Sequence, residues 1–165
     1  MRGKNVVFIT VKDESYIRVT QIKYILEKEA TSVRVYSSEK VNPVTRAQDL
    51  RKRIKKVSFD GVDVIVVGFL PQLIWGSVVK RFKQSTKRPV LVAEMFLSLY
   101  DTVILDRKLF RDGWWISELM RKLDGKTVDE ADLVLTDTKA NAEFISNLYE
   151  ASTICSSRGV RCTAP

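Results

Sequence analysis

The chain has no histidine, only two cysteines, four prolines and seven glycines in 165 residues. Without imidazole, serine, cysteine and zinc hydrolases lose their usual general base, so those reactions are excluded in their ordinary form. Cys155 and Cys162 both fall in the closing stretch "ASTICSSRGVRCTAP" and form no Cys-x-x-Cys couple. A structural zinc site takes about four good ligands, so no metal is expected, and the thiols read as exposed groups on a tail. Gly-x-Gly is missing, which removes the dinucleotide fingerprint and with it a nicotinamide dehydrogenase. No apolar run reaches the roughly 18 to 20 residues of a membrane span. Residues 1–5 lead straight into a strand-like run without a signal-peptide pattern, so a cytoplasmic protein is expected. Internal repeats and low-complexity segments are absent as well.

What is present is the composition of a single globular domain, with 45% hydrophobic and 29% charged residues. Lys and Arg number 28 against 20 Asp and Glu, a formal +8. That balance favours anionic partners (nucleic acid, acidic lipid, phosphorylated small molecules) without choosing among them. Short apolar runs recur along the chain: "VVFITV" (6–11), "VRVYS" (33–37), "VDVIVVGF" (62–69), "PVLVAEM" (89–95) and "ADLVLTD" (131–137). Between them lie segments of helical period. Val19, Ile22, Leu26 and Ala30 share one face, with Ser15 as cap and Glu14 one turn from Arg18. Leu50, Ile54 and Val57 form a second stripe. Pro71 suits a first helical turn that Ile74, Val78 and Phe82 continue. A longer helix is predicted over 113–130, with Ile116, Leu119, Met120 and Leu123 inward. The last helix turns Phe144, Ile145 and Leu148 inward, behind a cap at Asp137 or Thr138. All-apolar strands alternating with helices predict an α/β domain. Its core is a doubly wound, mainly parallel Rossmann-like sheet of about five or six strands with helices on both faces. The domain is expected to span 1–150, with 151–165 a disordered or extraneous tail.

In such a sheet the binding crevice lies beyond the carboxyl ends of the strands. Lys12 and Arg18 flank the start of the first helix, where a phosphate would gain charge-assisted hydrogen bonds from Arg18; a solvated helix start is the plainer reading. The stretch "RPVLVAEMFLSLYDTVILDRKLF" (88–110) begins as a buried strand, meets Glu94, and stays apolar while carrying Asp101, Asp106, Arg107 and Lys108. Ser98, Tyr100 and Asp101 offer hydroxyl and carboxylate groups suited to gripping a polyol. An amphipathic crossover with a charged edge is the alternative. The basic segment "RKRIKK" places Arg51, Lys52, Arg53, Lys55 and Lys56 around a helix whose Ile54 points inward. It reads as a solvated surface or as a dock on an anionic membrane, which would make the protein peripheral at the membrane's inner face. Nucleic acid is disfavoured, because no aromatic ladder accompanies the cations. "DGKT" (124–127) resembles the end of a P-loop but lacks the earlier glycine, since Met120 stands there, and reads as a helix-end turn. Trp114 and Trp115 read as packing at a helix start, or as an aromatic platform.

The segment "PVLVAEMFLSLYDTVILDRK", followed by "DEADLVLTDTKANAEFI", resembles the N-terminal half of GT-B glycosyltransferases of the retaining group that uses nucleotide sugars. "RVTQIKYILEKEATSVRVYS" is similar to that half's first helix and second strand. The likeness spans roughly residues 4–150. It departs at "KDESY", where most relatives have a Gly-rich turn, and in lacking the histidine that many carry after the fourth strand. The resemblance implies the acceptor-binding half of an enzyme that transfers a sugar to a hydroxyl of a glycan or lipid-linked acceptor, as in cell-envelope polysaccharide synthesis. The C-terminal donor-binding domain would be absent, and this chain by itself inactive. Lys12, Arg18, Glu94, Ser98, Asp101, Asp106, Arg107 and Lys108 would line the acceptor side. No metal and no cofactor beyond the nucleotide-sugar co-substrate are implied. A non-enzymatic regulatory or anion-binding module of the same fold is the competing expectation.

Overall fold

A computed structural model describes residues 3–149 and 154–156. The strands are β1 (Asn5–Thr10), β2 (Ser32–Tyr36), β3 (Val64–Gly68), β4 (Val90–Glu94), β5 (Leu133–Thr136) and β6 (Ile154–Ser156). The helices are α1 (Ile17–Glu29), α2 (Pro43–Ile54), α3 (Trp75–Phe82), α4 (Trp115–Glu130) and α5 (Lys139–Tyr149). All strand pairs are parallel, in the order β2-β1-β3-β4-β5-β6. The doubly wound parallel α/β sheet expected from the alternation is therefore present. Its sixth strand lies past the boundary near residue 150, because three residues too short to show a period still pair with β5. The remainder of the expected tail, Cys162 included, lies outside the described residues.

Alternation along each strand divides the core in two. Val7, Ile9, Ile65, Val67, Leu91 and Ala93 pack with Leu50 and Ile54 of α2, Val78 and Val79 of α3, Val128 of α4 and Ile145 of α5. Val6, Phe8, Val64, Val66 and Val92 point the other way, onto Val19 and Leu26 of α1. The chain steps from β1 out to β2 and then returns past β1 to β3, so right-handed crossovers place α1 opposite the other four helices. Leu50 is fully buried, and truncating such a side chain to alanine typically costs ~2–5 kcal/mol. Among the described residues no helix is long and apolar enough to cross a membrane.

Several local expectations change. Ser15 does not cap α1; its hydroxyl donates to Asp13 instead (2.5 Å), and the cap position is Tyr16 without a side-chain bond. Glu14 pairs with Lys23 (2.8 Å), because Arg18 turns inward to a buried partner. Thr138 does cap α5, accepting from the Asn141 amide at 3.1 Å. "DGKT" is no helix end: α4 runs through it, with Asp124 and Thr127 fully buried. Leu119, Trp114 and Trp115 are exposed rather than packed. The inward face of α4 is partly polar: Ser117, Asp124 and Thr127 are buried, while Ile116, Met120 and Leu123, expected inward, are only partly so.

Candidate functional site

The strand order reverses between β1 and β3, and their carboxyl ends define where a crevice opens. Lys12 follows β1, and Phe69 follows β3. The Lys12 ammonium stands 5.1 Å from the Tyr16 ring centre and 5.7 Å from that of Phe69. Tyr16 meets Phe69 edge-on at 5.3 Å, and Phe69 stacks on Phe96 at 6.2 Å. Three aromatic rings from three separate loops therefore line this edge, with a cation over two of them.

Glu94, the last residue of β4, sits beneath the rings at 3% exposure. Its carboxylate accepts from Arg18 Nε at 2.5 Å and from the Phe69 backbone N–H at 2.9 Å. The Arg18 guanidinium lies 4.4 Å over the Phe96 ring. Burial pushes the Glu94 carboxyl above its ordinary 4.5, and nearby Asp137 adds to the rise; the Phe69 amide and Arg18 pull the other way. Phe69 and Leu70 both adopt left-handed backbone, at φ 49° and 59°, uncommon for residues with large side chains. That turn aims the Phe69 amide at Glu94. Gly68 completes the arrangement: a Cβ there would come 2.7 Å from the buried Phe8 ring and 3.3 Å from Glu94 Oε2. Arg18 Nε is thus held by Glu94, and the guanidinium is paired rather than a free cation at the helix start.

Beyond Phe96 the crevice continues as a concavity of about 300 Å³ lined by Phe96, Ser98, Asp101, Asp137, Thr138 and Asn141, among others. Asn141 Nδ2 donates to Asp137 Oδ1 (3.2 Å) and to the Phe96 carbonyl (3.3 Å), tying α5 to the loop after β4. Asp101 opens a short π-helical turn, Asp101–Asp106, of the kind often found at functional sites. Burial raises its carboxyl above the usual 3.8, followed by the repulsion of Asp106 and Asp124.

This loop is shaped by Asp124, the first residue of "DGKT", whose role the helical pattern does not show. The buried carboxylate accepts from Ser98 Oγ (2.7 Å), the Leu99 and Tyr100 amides (3.0 and 2.9 Å), Gln72 Nε2 (2.7 Å) and Tyr149 Oη (3.3 Å). Burial, then the Asp124 charge, pushes the Tyr149 phenol well above its ordinary value of 10. Ser98 serves this network; its oxygen also accepts the Asp101 amide at 3.0 Å. Gly125 sits where a Cβ would come 3.3 Å from the Tyr149 ring, a tight contact that the ring would have to relieve by a few tenths of an ångström.

The structure therefore brings Lys12, Arg18 and Glu94 together and puts Ser98 and Asp101 in the adjoining concavity. Asp106, Arg107 and Lys108 are exposed at the far side of the π turn, and Lys108 faces a different concavity. A single wall containing Glu94, Asp101 and Arg107 is not what forms, because the π turn carries the chain out of the crevice after Asp101. On α2, Arg51 donates twice to the Leu73 carbonyl, at 2.9 and 2.5 Å, and Arg53 pairs with Asp49 at 3.0 Å. Lys52, Lys55 and Lys56 remain exposed. The ring trio and Asn141 were missed, since each stands alone in sequence and only the β1, β3, β4 and β5 loops bring them together. A scan of protein-family models and a search of curated proteins find no match to this chain.

Proposed function

We propose that the carboxyl edge of this sheet is the acceptor-binding half of a glycosyltransferase, holding a hydroxyl-bearing glycan or lipid-linked acceptor for a sugar donor carried by a complementary unit. The observation that carries the reading is the concavity that pairs the Phe96 ring with Asp101, Asp137, Thr138 and Asn141. A sugar presents an apolar C–H face to an aromatic ring and a rim of hydroxyls that donate to carboxylates and amide oxygens. About 300 Å³ lies at the small end of the range for ligand sites, ~300–1,000 Å³, which suits one or two sugar rings better than a dinucleotide.

In this role Glu94 does not touch the acceptor. It fixes Arg18 under Phe96 and so sets the plane of the ring on which the sugar rests, a positioning task. Asp101, half-buried and bordering the concavity, is the carboxylate placed to accept from an acceptor hydroxyl. Transfer would draw on positioning here and on stabilising the departing diphosphate in the complementary unit. This chain alone is expected to bind acceptor and to transfer nothing.

Titration calorimetry with short oligosaccharides tests the assignment. Binding should be present in the native chain and weakened about tenfold or more in Asp101→Ala and Asn141→Ala, each equal to the loss of a hydrogen bond to sugar, ~1.5 kcal/mol. Equal affinities in the native chain and both variants would remove the concavity from consideration.

A further inference from the structure

Twelve large apolar residues are exposed among the described residues, and six of them fall between positions 105 and 119: Leu105, Leu109, Phe110, Trp114, Trp115 and Leu119. Trp115 is 72% exposed, Leu109 61% and Trp114 52%, so they are presented to solvent rather than grazing it. Around the turn where Lys108 adopts φ 49°, Leu105, Leu109, Phe110 and Trp114 line an open concavity of about 540 Å³. Lys108 and Arg111 stand on its rim with Asp112, and Arg107 is exposed beside it. Clustered exposed apolar groups of this size mark an interaction surface.

We propose that this patch docks on an anionic lipid bilayer, with Trp114, Trp115, Leu109 and Phe110 entering the headgroup layer and Lys108 and Arg111 meeting lipid phosphates. Two observations select a bilayer. Tryptophan, leucine and phenylalanine interleaved with lysine and arginine is the make-up of membrane-interface segments, whereas protein interface cores are depleted in lysine. The charge of the chain is also lopsided. Between residues 51 and 88 it carries ten Lys and Arg against two Asp, with Arg53 paired to Asp49 and Arg88 to Asp132 from outside that stretch. Those residues belong to α2, α3 and the turns beside them, and both helices pack on the sheet face that also holds α4. The formal +8 of the chain adds a long-range attraction toward anionic lipid. The inference does not rest on the sugar site.

Intrinsic fluorescence gives a direct readout, because Trp114 and Trp115 are on the patch and the third tryptophan, Trp75, is buried. The full chain is mixed with vesicles of phosphatidylcholine alone and of phosphatidylcholine with phosphatidylglycerol. With the mixed vesicles at low salt, the protein should co-sediment and its emission should shift to the blue. With phosphatidylcholine alone, binding should be much weaker. The double variant Trp114→Ser/Trp115→Ser should bind about tenfold or more weakly, with an unchanged melting curve because both side chains are exposed. Lys108→Glu/Arg111→Glu should likewise bind more weakly. Three results would each overturn the proposal: no binding to mixed vesicles at low salt, full binding by the tryptophan double variant, or a dimer in light scattering that the double variant dissolves while vesicles are ignored. Oligosaccharide binding should be the same in the native chain and the tryptophan variant, so failure of one proposal leaves the other intact.

Discussion

Glu94 shows how one side chain can be costly and still indispensable. A buried carboxylate with a single cationic partner gains little over an apolar substitute, but removing one member strands the other. Glu94→Ala leaves Arg18 without its anion and the Phe69 amide without its acceptor, and should lower unfolding free energy by ~3–5 kcal/mol in urea titration. Glu94→Gln keeps an acceptor for Phe69 and should lose less. The pH dependence runs opposite to that of most carboxylates. Because the folded value lies above the ordinary 4.5, the extra stability from Glu94 is complete below that value and disappears as pH rises through the folded one. The stability of the native chain minus that of Glu94→Gln should therefore decline as pH climbs from about 4 through that window; a difference that grows with pH would contradict the burial argument. Gly68→Ala tests the neighbouring constraint. Its methyl group would meet the buried Phe8 ring at 2.7 Å, and overpacking of this kind costs ~1–3 kcal/mol, visible as a lower melting temperature. An unchanged melting temperature would mean that Phe8 has room to yield.

At the scale of elements, Asp124 binds α4, α5 and the loop after β4 into one unit. Asp124→Ala would leave the Leu99 and Tyr100 amides, the Ser98 hydroxyl and Gln72 without their shared acceptor. Each buried donor left unpaired costs ~1–3 kcal/mol, so the loss should be about 3 kcal/mol or more. Hydrogen exchange would localise it: the Leu99 and Tyr100 amides should lose protection while the β1 and β3 amides keep theirs. Equal protection in both proteins would show that the loop holds its shape without the carboxylate. The sequence pattern could not show this. A helix with Asp-Gly in its third turn has the look of a terminus, since Asp and Gly are poor helix formers and common at ends. Here the loop after β4 supplies the donors that make the aspartate tolerable, and the Tyr149 ring takes the space that glycine leaves. The placement of Arg18 and Glu94 near the carboxyl edge, by contrast, was legible, since each lies beside a strong apolar or helical signal that fixes where it emerges. That they bond to each other across 76 positions was not, because pairing depends on strand order.

For the molecule as a whole, the sheet was readable because fully buried parallel strands are apolar on both sides and short, and "VVFITV" and "VIVVG" contrast sharply with their flanks. β6 was not, for "ICS" has too few residues to carry any pattern. The exposed tryptophans were misread for a related reason: periodicity places Trp114 and Trp115 at a helix start and says nothing about whether a neighbour covers them. The candidate site follows the same division. Position near the crevice could be inferred from chain order, whereas the ring trio and the Asn141–Asp137 pair depend on how the strands are arranged. Acceptor binding at the carboxyl edge of the sheet is tested most directly by backbone amide shifts recorded by NMR during titration with a short oligosaccharide. Saturable shifts are expected at Phe96, Leu97, Asp101, Thr138 and Asn141, with the amides of α2 and α3 unmoved. Shifts confined to α2 and α3, or none at millimolar sugar, would contradict it.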